Sequence, residues 1–274
     1  MDSEVLVLCR GTISAASFRE RVAAASSAGY GGISLFAVDY RGGREDGLSD
    51  SDMRALLCDH GLGVAELDPL MHWIPGRPQA ERGAADEAEF FAIANAIGAR
   101  SINAAIGVPG AVATDLVAES FAGVCDRARE HGLLVHLEFL PWTAIDDLRK
   151  AVEVVRLAGR ENGGVMFDTW HHLRSGLPDS VIDEIPADCI IAIQTNDAPR
   201  EAEDDLVVET LHRRLLPGEG DIDLPGIFRR LFRGGCTAPV GVEVFSDELA
   251  RLPFDEAARL AGDATRRVLA QARA

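Results

Sequence analysis

Cysteine is scarce in this chain and none of it is paired by spacing. The five cysteines, Cys9, Cys58, Cys125, Cys189 and Cys236, are scattered and form no Cys-x-x-Cys. Neither a disulfide framework nor a zinc knot is therefore indicated, and the reduced thiols of a cytoplasmic protein are expected. No stretch reaches the ~20 apolar residues needed to span a bilayer. The N-terminal Met1-Asp2-Ser3-Glu4 runs into Val5-Leu6-Val7-Leu8 with no basic region or small-residue cleavage site, so no secretory signal is expected. Basic charge is also short: 27 Lys and Arg stand against 44 Asp and Glu, a net −17. Nucleic acid and an anionic membrane both need a basic face, and both are disfavoured as partners. Finally, no Gly-x-Gly-x-x-Gly turn or phosphate loop follows an early strand; Cys9-Arg10-Gly11-Thr12 does not qualify. That counts against the main alternative to a barrel, a doubly wound open sheet.

What is present is a regular alternation. Apolar runs of strand length are each followed by an amphipathic segment. The strands are expected at Val5–Cys9, Gly32–Phe36, Gly63–Leu67, Ser101–Ala105, Leu133–Phe139, Val165–Asp168, Ile190–Gln194 and Val240–Phe245. Helices are expected at Ala16–Ala28, Ser49–His60, Gln79–Ile97, Ala113–Glu130, Ile145–Ala158, Asp179–Glu184, Leu224–Phe232 and Phe254–Ala272. Several are closed by glycine, as at Gly29, Gly61, Gly98 and Gly132. Eight such units predict an α/β fold, a (β/α)8 TIM barrel, and the 274 residues match the ~250 of one barrel, hence a single domain over 1–274.

The C-terminal ends of barrel strands carry the chemistry. Strand five ends in His136-Leu137-Glu138, strand six in Phe167-Asp168, strand seven in Ile193-Gln194 and strand eight in Val242-Glu243. His136 and Glu138 share a face because side chains alternate along a strand. Beyond Asp168 the chain reads as a loop that brings His171 back to the same mouth. Three carboxylates in a low-dielectric mouth repel one another, and a divalent cation resolves the conflict. The candidate ligands are Glu138, Asp168, Gln194 and Glu243, an all-oxygen set that suits Mn²⁺ or Mg²⁺ better than zinc.

The order of motifs resembles the xylose-isomerase-like barrel superfamily, which includes sugar phosphate isomerases and epimerases. They are Glu138, Phe167-Asp168-Thr169-Trp170-His171, Gln194-Thr195-Asn196-Asp197, Leu216-Pro217-Gly218-Glu219-Gly220-Asp221-Ile222-Asp223 and Gly241-Val242-Glu243-Val244-Phe245. The resemblance covers essentially the whole chain. It implies a divalent metal on the four strand-end residues and proton transfer beside the carbonyl of a small polyhydroxylated ketone, through an enolate or enediolate. One departure matters: many epimerases and inosose isomerases of this superfamily have His where this chain has Gln194. Glutamine is similar to some bacterial 3-dehydroshikimate dehydratases, so a dehydratase-like lyase stands as the alternative. Such an enzyme needs an arginine for the substrate carboxylate, and Arg200, Arg213 and Arg214 are the candidates. Two further readings are a non-catalytic binding barrel and an abasic-site endonuclease; the intact ligand set opposes the first, and the acidity and lack of a His-rich cluster oppose the second.

Within this scheme Glu138, His171 and Glu243 are the candidate proton carriers. His72 and Trp73 follow strand three, Trp142 strand five and Trp170 strand six, so all three tryptophans fall on loops of the site face and are candidates to wall a substrate. Arg10, after strand one, either binds an anionic group or makes a surface salt link. His136 is expected inside near the ligands, and His172 beside them or on the surface. The stretch Thr195–Asp221 is too long for an ordinary connection and is expected to fold over the mouth or contact a second subunit in a homo-oligomer.

Overall fold

A computed structural model describes residues 1, 4–75, 86–107 and 109–274. Eight parallel strands close on themselves in chain order: β1 (Leu6–Leu8), β2 (Gly32–Phe36), β3 (Gly63–Leu70), β4 (Ser101–Ala104), β5 (Leu134–Glu138), β6 (Gly163–Asp168), β7 (Ile190–Thr195) and β8 (Val240–Val242). The seam pairs Leu6 with Val240, Val7 with Gly241 and Leu8 with Val242. Inside the barrel at this seam the side chains are small: Val7, Cys9 and Ala65 pack together. Gly241 belongs to the same layer, since a Cβ there would lie 2.6 Å from Cys9 Sγ and 2.9 Å from the Ile193 carbonyl oxygen.

The helices form the outer ring: α1 (Phe18–Ser27), α2 (Ala37–Glu45), α3 (Asp50–Asp59), α4 (Glu87–Ile97), α5 (Thr114–Glu130), α6 (Leu148–Ala158), α7 (Thr169–Ser175), α8 (Leu206–His212), α9 (Leu224–Gly234) and α10 (Phe254–Arg273). α6 shows how local chemistry sets such an element. Asp147 caps it by accepting from Lys150 N, Leu148, Ala151, Val152, Val155 and Ala158 form the buried stripe, and Gly159 ends it at φ 61°. Ser17 and Glu20 cap α1 reciprocally, and Ser49 and Asp52 do the same for α3. Among the described residues, no helix is long and apolar enough to cross a membrane.

Several local expectations are corrected. β3 runs on to Leu70, three residues past Leu67, and so takes in Asp68. The segment at Asp179–Glu184 is a 3₁₀ turn. α2, α7 and α8 occupy stretches read as loop, and His171 is helical: Asp168 caps α7 by accepting from the amides of Trp170 and His171. The helix expected from Gln79 begins at Glu87, capped by Asp86, and Gln79 itself lies outside the described residues. The long connection after β7 is held by two antiparallel bridges, Asp197 with Leu215 and Arg213 with Ser246, and carries α8 between them.

Candidate active site and metal centre

Asp168 is the last residue of β6 and the first of the site. Its Oδ1 accepts from Trp170 N at 2.7 Å and His171 N at 3.0 Å, so the strand-to-helix turn is fixed by the carboxylate itself. Its Oδ2 accepts from Arg214 Nη1 at 2.8 Å and Asn196 Nδ2 at 3.1 Å. Burial alone would push this carboxyl up, but Arg214, His171 and these donors hold it below the usual carboxylate range. The one-turn helical step to His171 aims the imidazole back at β5, with Nε2 3.2 Å from Glu138 Oε1. Glu138 Oε2 accepts from Asn103 Nδ2 at 2.7 Å. Donor atoms of Glu138, Asp168 and His171 all lie within 4.8 Å of one another.

Gln194 and Glu243 complete the ring from β7 and just beyond β8. Gln194 Nε2 lies 3.4 Å from Glu66 Oε1, while its carbonyl Oε1 is buried without a partner. Glu243 is 5% exposed, and burial pushes its carboxyl up; Arg214 opposes this while Glu138 and Asp168 add to it. Three of the four expected ligand residues, Glu138, Gln194 and Glu243, therefore line one mouth, and the fully buried Asp168 has a donor oxygen within 4.8 Å of Glu138's. A cavity of about 440 Å³ opens above them, walled by Leu140, Trp142, Phe36, Met71 and Phe245.

Sequence reasoning missed the contribution of β3. Glu66 and Asp68 alternate on the inward face, and both are buried. Burial, then Glu66, Glu243 and Glu138, push Asp68 well above the ordinary range, and neither of its oxygens has a partner. Asn103 was missed as well. His136 is fully buried as expected, with Nε2 3.4 Å from Glu66 Oε2 and Nδ1 3.2 Å from Asn103 Oδ1. The available signal was a period-two Glu-x-Asp, the same pattern that marked His136 and Glu138.

Arg214 is the arginine that reaches the cluster. Its guanidinium lies 5.6 Å from the Trp170 ring centroid and 5.3 Å from that of Phe245, with Nε on Thr210 and Nη1 on Asp168. Arg213 does not reach it: the side chain is 57% exposed and 3.9 Å from Glu203, because residues 213 and 214 of this bridged segment point to opposite sides. Arg200 is also outside, on an outer groove with Asp221. Trp73 is buried, donating Nε1 to the Ala105 carbonyl and packing edge-on to Phe121, so it is part of the core. Trp170 is fully buried, donating to Glu209. Of the three tryptophans only Trp142 lines the cavity, 5.9 Å from the His171 ring. His72 does not line it, and His172 turns away to Asp179 at 3.2 Å.

The donor set fits a divalent cation. Glu66, Asp68, Glu138, Asp168 and Glu243 are five buried carboxylates, against which Arg214 is the buried permanent cation in contact. The partnerless amide oxygen of Gln194 is a further hard donor aimed into the same space. Glu138, Asp168, Gln194 and Glu243 are the residues that could hold the ion.

Comparison with known proteins agrees with this architecture. Over 242 residues, 85% of the chain, it is 30% identical to a 3-dehydroshikimate dehydratase of Pseudomonas aeruginosa. It spans only 37% of that protein's length. Over 185 residues it is 27% identical to an inosose isomerase of Halalkalibacterium halodurans, covering 61% of this chain and 64% of that one. Among solved structures, an IOLI protein with a bound zinc atom superposes with a TM-score of 0.85 at 20% identity, covering 97% of this chain and 98% of that one. The xylose isomerase-like TIM barrel family matches residues 22–268, and the chain belongs to that family.

Proposed function

We propose that the chain is a metal-dependent enzyme that moves a proton beside the carbonyl of a small polyhydroxylated ketone, as sugar isomerases and epimerases do. The observation that carries this reading is the meeting of Glu138, Gln194 and Glu243 at one mouth, with a donor atom of Asp168 within 4.8 Å of Glu138's and His171 3.2 Å from Glu138. Mn²⁺ or Mg²⁺ held by those four residues would supply the Lewis acidity that stabilises enolate charge on the substrate. The remaining work falls to the chain. Glu138 and Glu243 come from β5 and from beyond β8, so two carboxylates stand on different sides of the mouth and can take and return a proton on different faces of a carbon. His171, oriented by its own backbone bond to Asp168, relays a proton to or from Glu138. Arg214 holds Asp168 in its charged form, and Trp142 and Phe245 exclude water from the cavity wall.

A dehydratase reading is favoured by Gln194 and by the likeness to the 3-dehydroshikimate dehydratase. There His171 would assist departure of a β-hydroxyl. One experiment separates the two. The protein is incubated with Mn²⁺ or Mg²⁺ in D₂O with ketohexoses or inosose, and deuterium uptake is followed by NMR; a parallel sample with 3-dehydroshikimate is followed by the ultraviolet absorbance of the aromatic product. Metal-dependent deuterium uptake without aromatic product supports the isomerase or epimerase. Aromatic product moves the assignment to a lyase, and silence in both arms overturns the enolate chemistry.

A further inference from the structure

The helix α8 is folded inside out. It buries Glu209 and Thr210, whereas its apolar residues Val207, Val208 and Leu211 are 42%, 42% and 47% exposed. The inversion has a visible cause. Glu209 accepts from Trp170 Nε1 and Arg174 Nε, and Thr210 Oγ1 accepts from Arg214 Nε at 3.2 Å and Nη2 at 2.7 Å, so the polar face is the one that docks on the barrel. Leu211 stands three residues after Val208 and four after Val207, which puts the three on one outward face. Val38, in the first turn of α2, is 53% exposed. Among the described residues seven large hydrophobic side chains are exposed, and these are four of them. Two of the four, Val38 and Leu211, line the reaction cavity. Exposed apolar surface gathered beside one opening marks a contact site.

The cavity has two storeys of different chemistry. The inner one is the ring of Asp68, Asn103, Glu138, His171, Gln194 and Glu243. Val38, Met71, Leu140, Trp142 and Leu211 come from beyond the strand ends and so stand nearer the opening. The three remaining polar side chains of the lining are committed to partners. Arg214 holds Asp168 and Thr210, Thr210 in turn serves Arg214, and Arg10 lies over the Phe36 ring at 4.8 Å with Nε 3.5 Å from Asp39 Oδ2. A free sugar seated here would desolvate its outer hydroxyls against a wall that is mostly hydrocarbon, which is penalised, whereas an apolar group gains by the same burial. The cavity volume of about 440 Å³ falls in the roughly 300–1,000 Å³ range of sites that enclose drug-sized ligands.

Building on the enolate reading above, we propose that the substrate is a polyhydroxylated ketone joined to an aryl group, with the hydroxyketone end on the carboxylate ring and the aryl group on the rim formed by Val38 and Leu211. An aryl group suits this wall better than an alkyl chain, because the indole of Trp142 and the thioether of Met71 both favour contact with a ring. The two storeys also fix orientation: the acidic ring rejects an apolar group and the rim rejects hydroxyls. Burial of the remote aryl group thus places the reacting carbon between Glu138 and Glu243. Val38 and Leu211 are specificity-determining residues that take no part in the proton transfer.

The test compares two matched probes on the full chain by calorimetry in Mn²⁺: 6-O-methyl-D-fructose and 6-O-benzyl-D-fructose. In the wild type the benzyl ether should bind roughly 10- to 100-fold tighter, the span expected for burying one aromatic ring. Leu211→Asn and Val38→Asn should each shrink that gap by roughly threefold or more, and together abolish it, while the methyl ether stays within about twofold. Leu211→Met should keep the gap, and so should Leu157→Asn, a change at an exposed leucine of α6. Thermal unfolding confirms that the variants fold. No gap in the wild type, or an unchanged gap in the double variant, overturns the assignment. A dimer seen by sedimentation that Leu211→Asn dissolves, with no gap between the probes, gives the outward face of α8 to a second copy and overturns it too. Metal-dependent deuterium exchange into the methyl ether is read separately by NMR. A gap without exchange sinks the enolate reading and leaves the aryl rim standing, whereas exchange without a gap does the reverse.

Discussion

At the scale of single residues, the proposed function assigns some groups to hold charge and others to move it. His171 touches Glu138 and is seated by a backbone bond to Asp168, whereas Glu243 contributes an oxygen to the ring itself. Glu243→Gln is therefore expected to lose both bound Mn²⁺ and turnover. His171→Ala is expected to keep the metal and lose roughly 10²–10⁴ in kcat. Metal content by elemental analysis beside kinetics checks both, and full activity in Glu243→Gln would refute the ligand assignment. Asp68 gives a pH prediction. Its carboxyl is raised in the folded state, so folding takes up a proton that the unfolded chain releases. The resulting penalty is absent below the ordinary carboxylate pKa, grows as pH rises from there toward the raised folded value, and is constant above it. Asp68→Asn in chelator should then unfold a few degrees above the wild type near neutrality, with the advantage shrinking as the buffer approaches about pH 4. Melting curves across pH read this directly; a constant offset would show that the group does not titrate. Glu138, Asp168, Gln194 and Glu243 were legible because each ends an apolar strand. Asp68 was not, because Pro69 made the strand seem to stop at Leu67, and a proline can occupy a sheet position where its missing donor is not needed.

At the scale of elements, the pieces that sequence periodicity did not show are the ones shorter than the ~10 residues over which an apolar stripe can be seen. α7 and α8 have seven residues each and are held by buried polar contacts rather than by a stripe. The knot between them is Glu209 of α8, which accepts from Trp170 Nε1 at 3.0 Å and from Arg174 Nε at 2.8 Å while its other oxygen takes Glu203 N. Trp170 read as substrate-facing from its place after a strand end and Arg213 from its place before the Leu216-Pro217-Gly218 turn, yet which way a side chain turns is decided by such tertiary partners. Glu209→Ala should cost roughly 3–5 kcal/mol, since it strands the buried Arg174. Arg213→Ala, which loses an exposed and loose pair with Glu203, should leave stability unchanged. Equal denaturation midpoints for wild type and Glu209→Ala would show that the two helices are held by something else.

For the whole molecule, the alternation of strands and helices carried the barrel because each βα unit must bury one sheet face and one helix stripe, a constraint visible in most of the units, though not in the one after β6. The acidic mouth is a local excess within a chain of net charge −17, so a divalent ion should stabilise the folded state far more than salt of equal ionic strength. At 1,000 times its dissociation constant the ion adds about 4 kcal/mol, which for a barrel of this size raises Tm by several degrees. Calorimetry with Mn²⁺ against matched NaCl checks it; identical melting curves would remove the metal from the proposal. The seam of the barrel has a kinetic meaning too. β1 and β8 are three-residue strands, and Glu243 stands one residue beyond β8, with its amide on the Thr195 carbonyl at 3.1 Å. β8 both shuts the sheet and brings Glu243 to the mouth, so a nascent barrel lacks one of the four proposed ligand residues until this strand has been made. With only three residues in β8 next to Glu243, amide exchange at Val240–Val242 should slow on adding Mn²⁺ more than exchange in the five-residue β5.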